Sequence, residues 1–164
     1  MTWRAMFRPG MRAYLIPLVS GLALAVSAFL PWVRVGEVSL EGASEMAALW
    51  VLGLGALAAV LATLSLVTRR NSRHPLLVVG LAAFGIMLLS WRIMPRMAVD
   101  RALTISQAVA IVEDAPMSDA PVARVGAGIY LGLAASFVLV GFGMTIVVKR
   151  VSQPYMPAEP DDDV

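Results

Sequence analysis

Residues 125–148 read VGAGIYLGLAASFVLVGFGMTIVV, a run without a charged side chain, bounded by Arg124 and Lys149. A helix crossing the hydrocarbon core of a bilayer needs about 20 apolar residues at about 1.5 Å each. This stretch meets that length with no polar interruption beyond Ser136 and Thr145. It also lacks the period-2 alternation of an outer-membrane strand. Backbone groups in lipid must pair within their own segment, so the run predicts a transmembrane helix.

Three further stretches have the same character. Residues 13–33 lie between Arg12 and Arg34, and residues 46–68 between Glu45 and Arg69. Residues 75–91 are uncharged, and the span reaches Met94 if Arg92 snorkels toward the headgroups. The whole chain of 164 residues is 59% hydrophobic and only 15% charged, with a mean hydropathy of +0.79. A soluble domain is about a quarter charged, so composition and segmentation agree on a membrane class. The expected fold is an all-α membrane protein, a four-transmembrane-helix bundle with spans at about 13–33, 46–68, 75–94 and 125–148. That domain occupies residues 1–150, and a Pro/Asp-rich tail occupies 151–164.

Orientation follows the basic residues. Arg4, Arg8, Arg12, Arg69, Arg70, Arg73, Lys149 and Arg150 fall on one side of the four spans; Arg34, Arg96, Arg101 and Arg124 fall on the other, with Arg92 at its edge. The positive-inside rule then places both termini in the cytoplasm of a bacterial inner membrane. Trp32, Trp50 and Trp91 mark the outer ends of spans and Tyr14 an inner start, as an interfacial belt would. The first span resembles a signal peptide in its arginine-rich start, but its apolar run is too long and continues through Phe29-Leu30-Pro31-Trp32, which favours an uncleaved span.

The connecting segments carry the remaining information. Residues 2–9 are weakly amphipathic and read either as a topology signal or as an interfacial strip for anionic lipid. Val33, Val35, Val38 and Leu40 suggest a small extended turn around Gly36. The loop from Pro95 to Ala123 is longer than a connection requires. Within it Ala98, Ala102, Ile105, Val109 and Val112 recur at intervals of 4, 3, 4 and 3, predicting a short amphipathic helix that packs on this bundle or on a partner. An alternating strand through Leu103, Ile105, Val109 and Ile111 is the other reading. Residues 114–121 look like an irregular return. In the tail, Pro154, Pro157 and Pro160 precede three aspartates, a pattern of solvated disorder or of an extended docking strip.

The chemistry expected of an enzyme is not legible. The uncharged span cores offer no ion path or proton relay. There is no cysteine, and the one histidine, His74, sits at a span edge without a second ligand. No phosphate-binding loop motif occurs. We therefore expect no catalytic residue, no metal, no cofactor and no nucleic acid partner. What remains are packing surfaces. Gly128-x-x-x-Gly132-x-x-x-Ser136 forms a smooth strip on span four, with Gly141 and Gly143 beyond it, and Gly55 and Ala59 repeat the spacing on span two. Such strips serve the internal bundle or a partner helix. Arg92 is a further contact, either snorkelled or paired with an acid of another subunit.

The exit Phe29-Leu30-Pro31-Trp32-Val33, the short acidic loop after it and the arginine-rich turn between spans two and three resemble small four-span membrane proteins of high-GC, actinobacterial-type bacteria. The alanine-, glycine- and arginine-rich composition is of the same kind. The resemblance implies an accessory or assembly subunit of a larger inner-membrane complex, such as a lipid-import transporter or a respiratory complex. It transfers no functional residue. The plan of a short first and longer second outer loop is also similar to that of tetraspanins, whose defining cysteines are absent here. The expected partners are membrane lipids and a larger membrane-protein complex. The alternative is a small homo-oligomeric transporter or channel, lined by Ser20, Ser27, Thr63, Ser65, Ser90, Ser136 and Thr145.

Overall fold

The computed structural model describes residues 12–35, 38–42, 46–68, 73–113 and 122–151. The N-terminal amphipathic segment, Gly36, Arg69 and Arg70, residues 114–121 and the tail from 152 lie outside them. A 3-10 turn, Arg12–Tyr14, leads into α1, Leu15–Ser27. Strands β1, Pro31–Val35, and β2, Val38–Glu41, follow; then come α2, Met46–Thr68, and α3, Arg73–Glu113. Strand β3, Ala123–Val125, leads into α4, Ala127–Val151. Each helix packs on the next and α4 closes the ring onto α1, with the pairs α3–α4 and α1–α2 in widest contact.

Helices α2, α3 and α4 are long and apolar enough to cross a membrane. The inner face of α2 is built largely from small residues, while α3 and α4 bury Leu76, Met87, Ile129 and Leu139 among theirs. Along α2 the buried positions are Ala48, Val51, Gly55, Ala58, Ala62 and Ser65, alternating by 3 and 4 as one helical face requires. Many large apolar side chains point outward: Val19, Trp50, Val60, Val78, Leu89 and Phe137 are all more than half exposed. A water-soluble bundle would bury such residues, whereas helices in lipid gain by close backbone approach and leave bulk to face the acyl chains.

The glycines show how close that approach is. A Cβ on Gly55 would stand 2.6 Å from the Ala25 backbone nitrogen, and one on Gly21 would stand 2.8 Å from that of Ala59. Across α3 and α4, a Cβ on Gly143 would stand 2.6 Å from the Leu77 Cβ. Tyr14 meets Phe142 edge to face, ring centroids 5.4 Å apart, joining the start of α1 to the far end of α4.

Three expectations need correction. First, the chain is mostly helical with four helices, as expected, but not wholly so: β2, β1 and β3 form an antiparallel three-stranded sheet at one end of the bundle. Second, the helix within 13–33 is much shorter than the apolar run, because Pro31 disfavours helix in the residue before it and β-branched Val33 and Val35 suit a strand. Third, the second loop holds no separate amphipathic helix. That segment is the continuation of α3, which runs 41 residues through Pro95. Proline at that place forfeits the hydrogen bond to the Trp91 carbonyl, near where the chain has already traversed about 27 Å from His74. Pro17, by contrast, lies in the first turn of α1, where helical N–H groups have no intrahelical acceptor in any case.

Candidate functional site

The sheet end of the bundle is built around Trp32. Between Pro31 and Val33 the pairing of β1 with β2 slips by one residue, so Trp32 is the extra residue of a bulge. A regular strand would put Trp32 and Val33 on opposite faces. The bulge lets both be buried, at 1% and 2% exposure. Trp32 is therefore enclosed and does not join an interfacial belt, whereas Trp50 and Trp91 are exposed. Three glycines form the enclosure. A Cβ on Gly42 would collide with the indole, one on Gly128 would stand 2.6 Å from its Cδ1, and one on Gly126 would collide with the Pro31 carbonyl oxygen.

The same indole completes the end of α1. The last four carbonyls of a helix lack intrahelical donors, and leaving them unpaired in an apolar setting is costly. Here the Ser27 hydroxyl donates to the Leu24 oxygen at 2.6 Å. The Ala28 N–H donates to Ala25 and the Phe29 N–H to Val26. The Trp32 Nε1–H donates to the Ser27 oxygen at 2.8 Å. Next, Gly42 N–H donates to the Leu30 oxygen at 3.2 Å and Gly126 N–H to the Trp32 oxygen at 2.7 Å. Residues from α1, both sides of the first loop and the start of α4 thus share one polar network.

The small-residue strip of α4 faces this network. Gly128 packs on Trp32 and on the Ser27 and Leu30 carbonyls; Gly132 packs on Met87 of α3 and on the Ser27 hydroxyl. Ser136 is fully buried, its hydroxyl donating to Leu133. On α2, Gly55 is buried against α1 and Ala59 is half-buried. These five positions lie inside the bundle. Gly141, by contrast, has open space where a Cβ would be.

The continuation of α3 is the second feature. At 1.5 Å per residue the helix is about 60 Å long, twice the hydrocarbon thickness. Met94 and Ala98 pack against the core together with Val35, Ala123 and Val125 of the sheet. Beyond them the predicted stripe divides: Ala102 is half-buried, whereas Ile105, Val109 and Val112 are exposed at 59%, 46% and 84%. Ile111, outside that stripe, is exposed at 83%. This projecting arm therefore shows apolar side chains on more than one side. Arg92 is exposed at its base, and His74 is exposed in the first turn of α3.

The hydroxyls proposed to line a pore mostly bond their own helix. Thr63 donates to Ala59, Ser65 to Leu61 and Thr145 to Phe142. Such back-bonding satisfies the group without a water or a solute. Sequence reasoning missed Trp32, Gly42 and Gly126 as a unit. The available signal was a proline-tryptophan exit together with isolated glycines at both other chain entries to the same end.

No family model, curated protein or solved structure matches the chain.

Proposed function

We propose that the protein is a non-catalytic accessory or stabilising subunit of a larger bacterial inner-membrane complex. In this reading all four helices cross the bilayer, α1 completing its crossing through the 3-10 turn and residues 28–30. Both termini lie in the cytoplasm and the sheet on the opposite side. A lipid-import transporter or a respiratory complex is the kind of host that fits.

The observation that carries the proposal is the arm of α3. Beyond Ala98, which still packs against the core, it runs roughly 22 Å further to Glu113. Apolar side chains as exposed as Ile105, Ile111 and Val112 are costly in water at about 25 cal/mol per Å2 and are ordinarily covered. The arm is continuous with a helix rooted in the bundle, so a partner gripping it is held rigidly to the membrane domain. The glycine strips are already occupied inside the bundle, which leaves the arm as the main contact surface. The alternative of a small homo-oligomeric channel draws less support, because Thr63, Ser65, Ser136 and Thr145 spend their hydroxyls on their own helices.

The test is a mild-detergent pull-down of chromosomally tagged protein with mass spectrometry of what accompanies it. Stoichiometric recovery of one large membrane complex, lost in an Ile105→Asp/Val109→Asp variant that still enters the membrane, is the expected result. Recovery of the protein alone, as a discrete homo-oligomer, overturns the proposal and makes solute flux in liposomes the next measurement.

A further inference from the structure

The sheet carries an arrangement that its own stability does not explain. In the register of β1 with β3, Arg34 stands directly opposite Arg124, and in that of β1 with β2 it stands opposite Ser39. Val33 and Val35 point to the other face, toward α3, so Ser39, Arg34 and Arg124 form one row across the outward face. All three are exposed. Directly opposite residues hold their Cβ atoms about 4.5–5.5 Å apart, and like charges placed so are destabilising. Among the described residues neither arginine has an acidic partner. Each strand has flanking positions to which an arginine could have been moved, yet both occupy the one register that brings them together.

We propose that Arg34 and Arg124 form a clamp for the phosphate of an anionic phospholipid headgroup. Two guanidinium groups at that spacing present parallel N–H donors to a tetrahedral oxyanion, a geometry suited to arginine and unavailable to a single lysine. The Ser39 hydroxyl adds a neutral donor at the end of the row. The height is that of lipid phosphates. Arg124 lies three residues before α4 begins, and Arg34 four residues beyond Leu30, where the turn after α1 ends. At about 3.3 Å per strand residue, Arg124 lies at most about 10 Å from the start of α4 and Arg34 at most about 13 Å from Leu30, and the pairing of their strands puts the two arginines side by side near the headgroup layer. Phe29, 59% exposed in the turn just below, offers an apolar wall to the acyl chain. The lipid supplies a counter-charge to the paired arginines. The inference rests on the bundle sitting in a bilayer and is independent of the accessory-subunit reading, because its test uses the purified protein alone.

The full chain is purified in zwitterionic detergent, and its thermal midpoint is followed as phosphatidylglycerol or phosphatidylcholine is added. The clamp predicts that phosphatidylglycerol stabilises the wild type and phosphatidylcholine does not. Arg124→Gln should raise the midpoint by about 1–3 °C before lipid is added, because it removes the like-charge contact. It should also weaken phosphatidylglycerol retention, read by native mass spectrometry, by about ten-fold. A variant that is less stable than the wild type without lipid overturns the proposal, since the arginine is then neutralised within the chain. Equal retention by wild type and the Arg34→Gln/Arg124→Gln variant also overturns it. Glycerol 3-phosphate is the competing arm: if it displaces the lipid at millimolar concentration, the ligand is a soluble phosphate and the lipid assignment falls.

Discussion

Replacing Gly128 with alanine tests whether the glycine-enclosed tryptophan holds the bundle together. The added methyl would stand 2.6 Å from Trp32 Cδ1, 2.8 Å from the Ser27 oxygen and 3.0 Å from the Leu30 oxygen. A flexible side chain could yield at such distances, but two of these atoms are backbone oxygens. The Ser27 oxygen accepts from the indole, and the Leu30 oxygen accepts from Gly42 N–H. Displacing them strains the end of α1 and the hairpin together. Overpacking of this kind costs about 1–3 kcal/mol, and weakening one hydrogen bond adds about 1 kcal/mol. Alanine's better helix propensity returns at most about 1 kcal/mol. The net is a loss of about 1–3 kcal/mol, or a fall in melting temperature of roughly 2–12 °C for a chain of this length. Gly141→Ala is the internal control. It lies on the same helix with nothing within 4 Å of the new methyl, so the propensity gain acts alone and the melting temperature should hold or rise. Circular dichroism melts of both variants in one detergent give the comparison. Equal melting temperatures for the two would refute the close packing at Trp32.

Trp32→Phe keeps a ring in the enclosure but leaves the Ser27 oxygen only the longer 3.4 Å contact with Leu30 N–H; a loss of about 1–3 kcal/mol is expected in the same melts, against almost none for exposed Trp50→Phe. Gly55→Ala should separate α1 from α2 and lower the melting temperature, while Gly53→Ala, with open space around it, should not. Ile111→Glu with Val112→Glu should leave the melting temperature unchanged, since both side chains are more than four-fifths exposed, yet reduce recovery of co-purifying subunits in the pull-down.

The helices were legible because charge marks their limits. The uncharged run after Glu45 and before Arg69 has the bounds of α2, Met46–Thr68. The sheet was not legible as a sheet, although Val33, Val35, Val38 and Leu40 did suggest an extended turn. In an apolar run, helix and strand share the same hydrophobic content, and the alternations Val33-Arg34-Val35 and Val38-Ser39-Leu40 are too short to fix paired strands. Its third strand is only three residues, 88 positions beyond Val35, so no local pattern announces it. The arm of α3 was read as a separate helix because Pro95 and Arg96 resemble a boundary. Proline does weaken a helix by one hydrogen bond, but Met94 before it and Ala98 after it both pack against the core, which holds the two sides in line. The interior position of Gly128 and Gly132 could not be deduced either, since the same spacing serves an internal or an external neighbour.

The hydrogen bonding explains why the sheet end matters out of proportion to its size. Within the helices, the hydroxyls of Ser27, Thr63, Ser65, Ser136 and Thr145 all bond to carbonyls of their own helix. Such bonds satisfy polar groups but do not align one helix with another. Small-residue packing brings helices close, yet a smooth surface resists sliding and rotation only weakly. Directional bonds between distant segments occur in the ladders of β1 with β2 and β3, and in the bonds from Gly42 to Leu30 and from Gly126 to Trp32. These tie the end of α1 to the start of α4 and fix the height of one against the other. Helix α3 contacts β1 and β3, so its arm leaves the bundle beside that sheet. A partner bound to the arm would therefore pull on the most rigidly registered part of the protein, which is the mechanical arrangement a stabilising subunit needs.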